Sequence, residues 1–350
     1  MKIAFLTLGC KLNYAETSTY ERGFKAAGLE VVPWSDKADI YLVNTCSVTA
    51  MSDSKSRNLI RKVHRVNPEA AVIVTGCSAQ LRRAEIEAIE GVTRVFGATE
   101  KQSVVPDTLA LMGMPAAGDS LRKNGVFGAF STGERTRSFL KVQDGCNNFC
   151  KYCTVPYARG ESRNIPISEC VCNARKIAQE GVKEIVLTGV NTGDFGRSTG
   201  ESFLDLLKAL EQVEGIERYR ISSIEPNLLE DDIIDWIASG TRFQPHFHIP
   251  LQAGTDELLR SMGRHYDTAF FERKIDYVRQ KLEAPGKPLV FFGIDVMAGL
   301  PGETEELFRS GMDFIRRIRP AFIHVFPYSR RPGTPAAEMP GQVSDKDKRR

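Results

Sequence analysis

No stretch of this chain stays apolar for long enough to span a bilayer, so a helical membrane anchor is excluded and no membrane partner is expected. The opening "MKIAFLTLGC" sets a lysine before an apolar run. Lys11 and Asn13 soon interrupt that run and no small-residue cleavage site follows, so it does not read as a signal peptide. The chain is therefore expected in the cytoplasm, where its eight cysteines are ligands, catalytic groups or core filler rather than disulfides. Short-period repeats and low-complexity tracts are absent. A strong charge of one sign is also lacking: 47 Lys and Arg against 44 Asp and Glu leave +3, which permits a polyanionic partner without demanding one. Basic residues nevertheless cluster in "RRAE", "RRIRP" and "DKDKRR".

A length of 350 residues with 42% apolar content suits a buried core divided over two α/β units. Strands are expected at 2–8, in "LEVVPW", and at 39–45, 70–76 and "TRVFGA", separated by helices over roughly 13–27, 52–66, 79–90 and 103–112. That alternation predicts an open parallel sheet covered on both faces, occupying residues 1–115. Residues 116–137, rich in glycine and polar residues, read as a linker. A second series follows over 138–335, with strands beginning at "SFLKVQDG" and then at 183–189, 218–224, 247–251, 289–299 and 322–328. Six βα steps are too few for an eightfold barrel and fit a partial (β/α)6 barrel open at its strand ends. Residues 336–350 look like the start of a C-terminal extension.

The densest chemical signal is "GCNNFCKYC", which places Cys146, Cys150 and Cys153 as C-x3-C-x2-C just after the first strand of the second unit. Three thiolates this close can wrap one face of a four-iron cubane and leave the fourth iron open. A zinc site lacking one ligand and three incidental cysteines are the alternatives. Cys170 and Cys172 lie nearby but two apart on a predicted helix, so they face apart and read as structural. With Tyr152 just before the third cysteine and a partial barrel behind, the spacing resembles that of the radical S-adenosylmethionine enzymes. The resemblance implies that the open iron chelates the methionyl group of that cofactor.

Cys10, Cys46 and Cys77 each follow a predicted parallel strand, "KIAFLTLG", "DIYLVNT" and "AAVIVTG". Ligand sites in open α/β sheets form beyond the carboxyl ends of the strands, so neighbouring strands would bring these thiols into one crevice. One such cysteine alone reads as core filler. Three at the same topological point, each before a polar loop into a helix, point to a second three-thiolate site.

The phrases "TLGCKLNYAET", "VNTCSVT", "VTGCSAQ", "GCNNFCKYCTVPYARGESR", "LTGVNTGDFG", "SSIEP", "HIPLQAG", "GLPGET" and "FPYSRRPGT" together resemble the methylthiotransferases, in family order and over nearly the whole chain. The resemblance implies two 4Fe-4S clusters, an auxiliary one on Cys10, Cys46 and Cys77 and a radical one on Cys146, Cys150 and Cys153. It also implies two molecules of S-adenosyl-L-methionine, one methylating a sulfur and one generating the radical that opens a C–H bond. A one-electron donor such as flavodoxin or ferredoxin and a source of sulfur are implied partners.

For the cofactor, Tyr152, Gly189 and Asn191 are the first candidates, with Ser223 and Glu225 for the ribose hydroxyls and Gln252 as a further inward group. Strand-end turns and caps are the alternative roles for Ser223 and Gln252. Arg159 and Arg163 in "YARGESR" are candidates to grip a substrate phosphate or the cofactor carboxylate, or else are solvated loop residues. His246 and His248 in "HFH" are read as facing apart along a strand and as weak ligand candidates.

Within the family, "LGCKLNYAET" and "PYARGESR" most resemble the branch acting on N6-threonylcarbamoyladenosine beside the tRNA anticodon. Branches acting on isopentenyladenosine in tRNA, typically with glutamine and methionine after the first cysteine, or on a ribosomal-protein aspartate, with proline there, are the alternatives. The family usually continues into a small RNA-holding β-barrel, and this chain stops at "VSDKDKRR", so weakened tRNA binding is expected. A reading of another class is an iron–sulfur electron carrier or RNA-binding module without turnover.

Overall fold

Alternating β-branched runs and amphipathic helices build the first half of the chain in the computed structural model, which describes residues 1–115, 126–132, 136–286 and 289–350. Its elements are β1 (Lys2–Thr7), α1 (Lys11–Ala26), β2 (Glu30–Val31), β3 (Ile40–Thr45) and α2 (Ala50–Val66). After these come β4 (Ala71–Gly76), α3 (Cys77–Leu81), α4 (Arg83–Glu87), β5 (Val92–Val95) and α5 (Val104–Leu111). The five strands are parallel in the order β2-β1-β3-β4-β5. The order reverses between β1 and β3, and a crevice opens at such a switch point. Every residue of β3 is buried, as a central strand covered on both faces requires. In α2, Thr49 caps the first turn by accepting from the Ser52 N–H, and the helix stops before Pro68. The single helix expected over 79–90 is broken at Arg82, whose φ of −132° leaves the helical region and separates α3 from α4.

The second half runs β6 (Ser138–Lys141), β7 (Gln143–Asp144), α6 (Val155–Arg159), β8 (Arg163–Asn164), α7 (Ile167–Gln179), β9 (Glu184–Thr188), α8 (Phe203–Glu211) and β10 (Arg218–Ile221). It continues through α9 (Asp231–Ala238), β11 (His246–His248), α10 (Asp256–Ser261), α11 (Thr268–Leu282), β12 (Phe291–Ala298), α12 (Glu305–Ile318) and β13 (Phe322–Pro327). Two short helices follow, α13 (Pro335–Glu338) and α14 (Asp345–Arg349). Parallel sheets β6-β9-β10 and β11-β12-β13 are joined by the bridges Tyr219 to Phe243 and Ser223 to His248. The six strands thus form a partial barrel, with helices packed outside as parallel crossovers demand.

The halves share a core. Phe139 of β6 and Val186 of β9 lie in one apolar cluster with Ile3, Tyr20 and Phe24, so α1 is wedged between its own sheet and the outside of the barrel. Part of the expected linker is packed rather than free: Phe127 stacks on Tyr20 at 5.1 Å and Phe130 bridges to Leu140. Residues 116–125 and 133–135 of that linker lie outside the described residues. Beyond β13, the Arg331 guanidinium donates to Asp53 at 2.5 Å and to Ser47 at 2.8 Å, tying the segment before α13 to the start of α2. Among the described residues no helix is long and apolar enough to cross a membrane.

Candidate functional site

Cys10, Cys46 and Cys77 follow β1, β3 and β4, three strands adjacent in the sheet. Two glycines allow the approach. Gly9 has φ +102°, and a Cβ there would lie 2.9 Å from the Cys46 sulfur. Gly76 has φ +99°, and a Cβ there would lie 2.3 Å from the Thr45 carbonyl oxygen. Both positions exclude an L side chain on conformation and on space. Asn13 fastens the loops together, its amide donating to Leu8 O at 2.7 Å and to Thr45 O at 2.9 Å. Burial pushes the Cys46 thiol up to about 11 and the Cys77 thiol upward as well. A metal held here would have to displace the protons of these thiols.

Beside this triad lies a buried ion network. Glu16 accepts from Lys101 and Lys141 at 2.8 Å each and from Arg159 at 3.2 Å. Asp144 lies 2.7 Å from Lys141, 2.8 Å from Arg159 and 3.3 Å from Lys101. Desolvation opposes the Glu16 charge, but these cations hold its carboxyl at about 2. Three cations face two carboxylates, and Arg159 and Lys101 act electrostatically on Cys77. The surplus positive charge suits an anionic cluster held by thiolates.

The second triad hangs in the loop between β7 and β8, which pair antiparallel through Gln143 with Asn164 and Asp144 with Arg163 and so close its base. Gly145 repeats the device of Gly9 and Gly76: its φ is +77° and a Cβ would lie 1.9 Å from Glu161 O. Backbone amides point at sulfur, Asn148 N–H toward Cys146 at 3.5 Å and Val155 N–H toward Cys153 at 3.4 Å. Burial raises Cys146 to about 11 and Cys153 to about 12. Arg264, which no sequence pattern singles out, donates to the Cys150 sulfur at 3.1 Å and to the Tyr152 hydroxyl at 3.2 Å, and pairs with Glu225.

Among the described residues, no three His, Cys, Asp or Glu side chains gather closely enough for one metal ion. Two all-thiolate donor sets of this spread suit multi-iron clusters, in which each thiolate takes its own iron, better than a mononuclear zinc site. Cys170 is fully buried and Cys172 exposed, apart from both triads.

The other expected contacts fare differently. Gly189 lies against Gln143, whose Oε1 would be 2.9 Å from a Cβ there and accepts from the N–H groups of Val190 and Asn191. Asn191 is 3% exposed, and its Nδ2 is a buried donor without a partner among the described residues. Asp194, missed in the sequence, acts on Cys146 and carries a buried, unpartnered Oδ2. Both atoms are unmet polar groups, Asp194 acting on Cys146 and Asn191 lying three residues before Asp194, and a bound amino acid moiety would satisfy them. Ser223 O accepts from the Thr192 hydroxyl at 2.9 Å, which holds the strand end. One Glu225 oxygen is taken by Arg264 rather than left free for a ribose.

Arg159 corrects the sequence reading: at 2% exposure, bonded to Glu16, Asp144 and Asn13, it cannot reach a substrate phosphate. Arg163 donates to Arg159 O at 3.1 Å and stays partly exposed. His246 and His248 are a second correction, because the two-residue period of a strand puts both on one face, opposite the buried Phe247. His246 stacks on Phe291 and His248 bonds Asp295 at 2.8 Å.

A cavity of about 220 Å³ opens between the halves. Val48 and Thr49, just after Cys46, form one wall, and Tyr152 and Cys153 form another. Gln252, at φ +69°, and Asp295 line it from the barrel.

Residues 2–97 match the model of an uncharacterized protein family, UPF0004, and residues 140–315 that of the radical SAM superfamily. The chain is 41% identical to the threonylcarbamoyladenosine tRNA methylthiotransferase MtaB of Bacillus subtilis over 98% of its own length and 77% of that protein's. To the protein of that name from Aquifex aeolicus it is 36% identical, over 100% of this chain and 85% of the other. Among solved structures it resembles the radical S-adenosylmethionine methyltransferase TsrM from Kitasatospora setae, with cobalamin and a [4Fe-4S] cluster bound. The TM-score is 0.68 at 16% identity, covering 96% of this chain and 77% of that one, a likeness of fold.

Proposed function

We propose that this chain, which belongs to the methylthiotransferases of the radical S-adenosylmethionine superfamily, adds a methylthio group to C2 of N6-threonylcarbamoyladenosine in tRNA. Cys146, Cys150 and Cys153 would hold one 4Fe-4S cluster and Cys10, Cys46 and Cys77 the other. When bound, the clusters and S-adenosyl-L-methionine supply the one-electron chemistry that opens a C–H bond and the methylated sulfur that replaces its hydrogen.

The chain's own part is positioning. Arg264 and the Asn148 and Val155 amides orient the second triad, while Asn191 Nδ2 and Asp194 Oδ2 stand ready for the cofactor's amino acid end. Glu16, Asp144 and their cations lock α1 and β6 together, which keeps the two triads at a fixed separation. The observation that carries the reading is the cavity walled on one side by residues after Cys46 and on the other by Tyr152 and Cys153, since a target base must meet both triads. A partly exposed Arg163 is left as the candidate for a tRNA phosphate.

A cytoplasmic location follows from a tRNA substrate and free thiols, with a flavodoxin- or ferredoxin-type electron donor and a sulfur source as partners. The test is anaerobic reconstitution, incubation with tRNA, S-adenosyl-L-methionine and reductant, and mass spectrometry of the nucleosides. A methylthio increment confined to threonylcarbamoyladenosine is expected. An increment on isopentenyladenosine or on a ribosomal protein instead would overturn the assignment.

A further inference from the structure

Lys11 is used by none of the roles above. It is the first residue of α1, next to Cys10, yet its side chain leaves the N-terminal half and reaches the open end of the barrel, where Nζ lies 3.4 Å from Ser222 Oγ. Among the described residues it has no carboxylate partner, and α1 has no acid in its first turn. A cation at the positive end of a helix is electrostatically mismatched, which an anion delivered there would offset. The carboxylate that acts on Lys11, Asp295, is already engaged by His248 at 2.8 Å, and Arg137 and Arg220 add positive charge around the lysine.

From this placement we infer that Lys11 and Ser222 form the subsite for the threonyl carboxylate of the target nucleoside, and so select it among N6-substituted adenosines. The inference rests on the reading of the substrate given above. C2 and C6 of adenine flank the same ring nitrogen, so a substituent on N6 extends along the edge that carries C2. A base whose C2 faces the sulfur-donating triad therefore sends its N6 substituent past the residue beside Cys10. There the ammonium of Lys11 donates to the carboxylate and the Ser222 hydroxyl adds a second bond. An apolar isopentenyl group offers neither partner and leaves the cation unpaired, which is how a polar subsite rejects an analogue lacking the polar group.

The test uses the reconstituted holoprotein and two synthetic anticodon stem-loops, one with threonylcarbamoyladenosine and one with its neutral threonyl methylamide. The wild type is expected to favour the carboxylate in kcat/KM on the order of 10- to 100-fold, chiefly through KM. Lys11→Gln should bring the ratio near one, and Lys11→Arg should keep it. Iron and sulfide contents are measured alongside because Cys10 is adjacent. If Lys11→Gln loses the auxiliary cluster, Ser222→Ala reads the same ratio, with an expected fall of about three- to tenfold. A wild type indifferent to the carboxylate, or variants with full clusters and an unchanged ratio, would sink the subsite alone. A wild type that modifies neither stem-loop sinks the functional reading and the subsite with it.

Discussion

Cys10 is preceded and followed by residues that form no ligand motif, and it is an exposed thiol at the N-cap of α1 that makes no capping bond with its side chain. Its assignment comes from the two cysteines that the sheet places beside it. Removing it should separate the two triads functionally. Cys10→Ala is expected to lose the auxiliary iron and all methylthio product, while reduced protein still forms 5′-deoxyadenosine. Iron analysis, nucleoside mass spectrometry and chromatography of the cleaved cofactor give the three readings, and methylthio product without the auxiliary cluster would refute the assignment. Arg159 teaches the opposite lesson about single residues. An arginine in a polar loop reads as a phosphate grip, and only the packing of α6 on α3, which turns Arg159 inward toward α1, makes it a partner for Glu16 and Asp144.

At the scale of elements, one device recurs: a glycine with positive φ ends the extended segment before Cys10, Cys77 and Cys146. The backbone reverses there without a Cβ and brings the following thiol against a neighbouring turn. Gly76→Ala should therefore cost about 1–3 kcal/mol from the backbone conformation, and more from the clash with Thr45 O. The expected result is loss of auxiliary iron with the second cluster retained, together with a lower denaturation midpoint. An alanine variant with full iron and wild-type stability would show that the turn is not needed. Strands and helices themselves were legible in the sequence, because β-branched runs and apolar periodicity survive in most of the elements. The break at Arg82 and the packing of Phe127 and Phe130 were not, since both are set by contacts with distant residues.

At the scale of the whole molecule, the two halves are joined by a shared apolar core and by the ion network around Glu16. Breaking a buried network by removing one partner costs about 3–5 kcal/mol, so Glu16→Gln should be strongly destabilising in denaturant titrations at pH 7. Its pH dependence has a definite sign. A carboxyl held at about 2 in the folded chain, against a usual 4.5, contributes its stability in full above the unfolded value and loses it as pH falls toward 2. The difference between wild type and Glu16→Gln is therefore expected to shrink between about pH 5 and pH 2, and a constant difference would show that Glu16 is not the titrating group. The sequence by itself determined the two α/β units, the three-cysteine loop and the alternation that puts Cys10, Cys46 and Cys77 at strand ends, because these depend on local periodicity and spacing. Only the tertiary structure decided that β1, β3 and β4 are neighbours, that Arg264 serves Cys150 and Arg159 the interior, and that Lys11 crosses to Ser222. Those facts depend on which surfaces bury one another, and residues 211 positions apart carry no mark of their meeting in the chain.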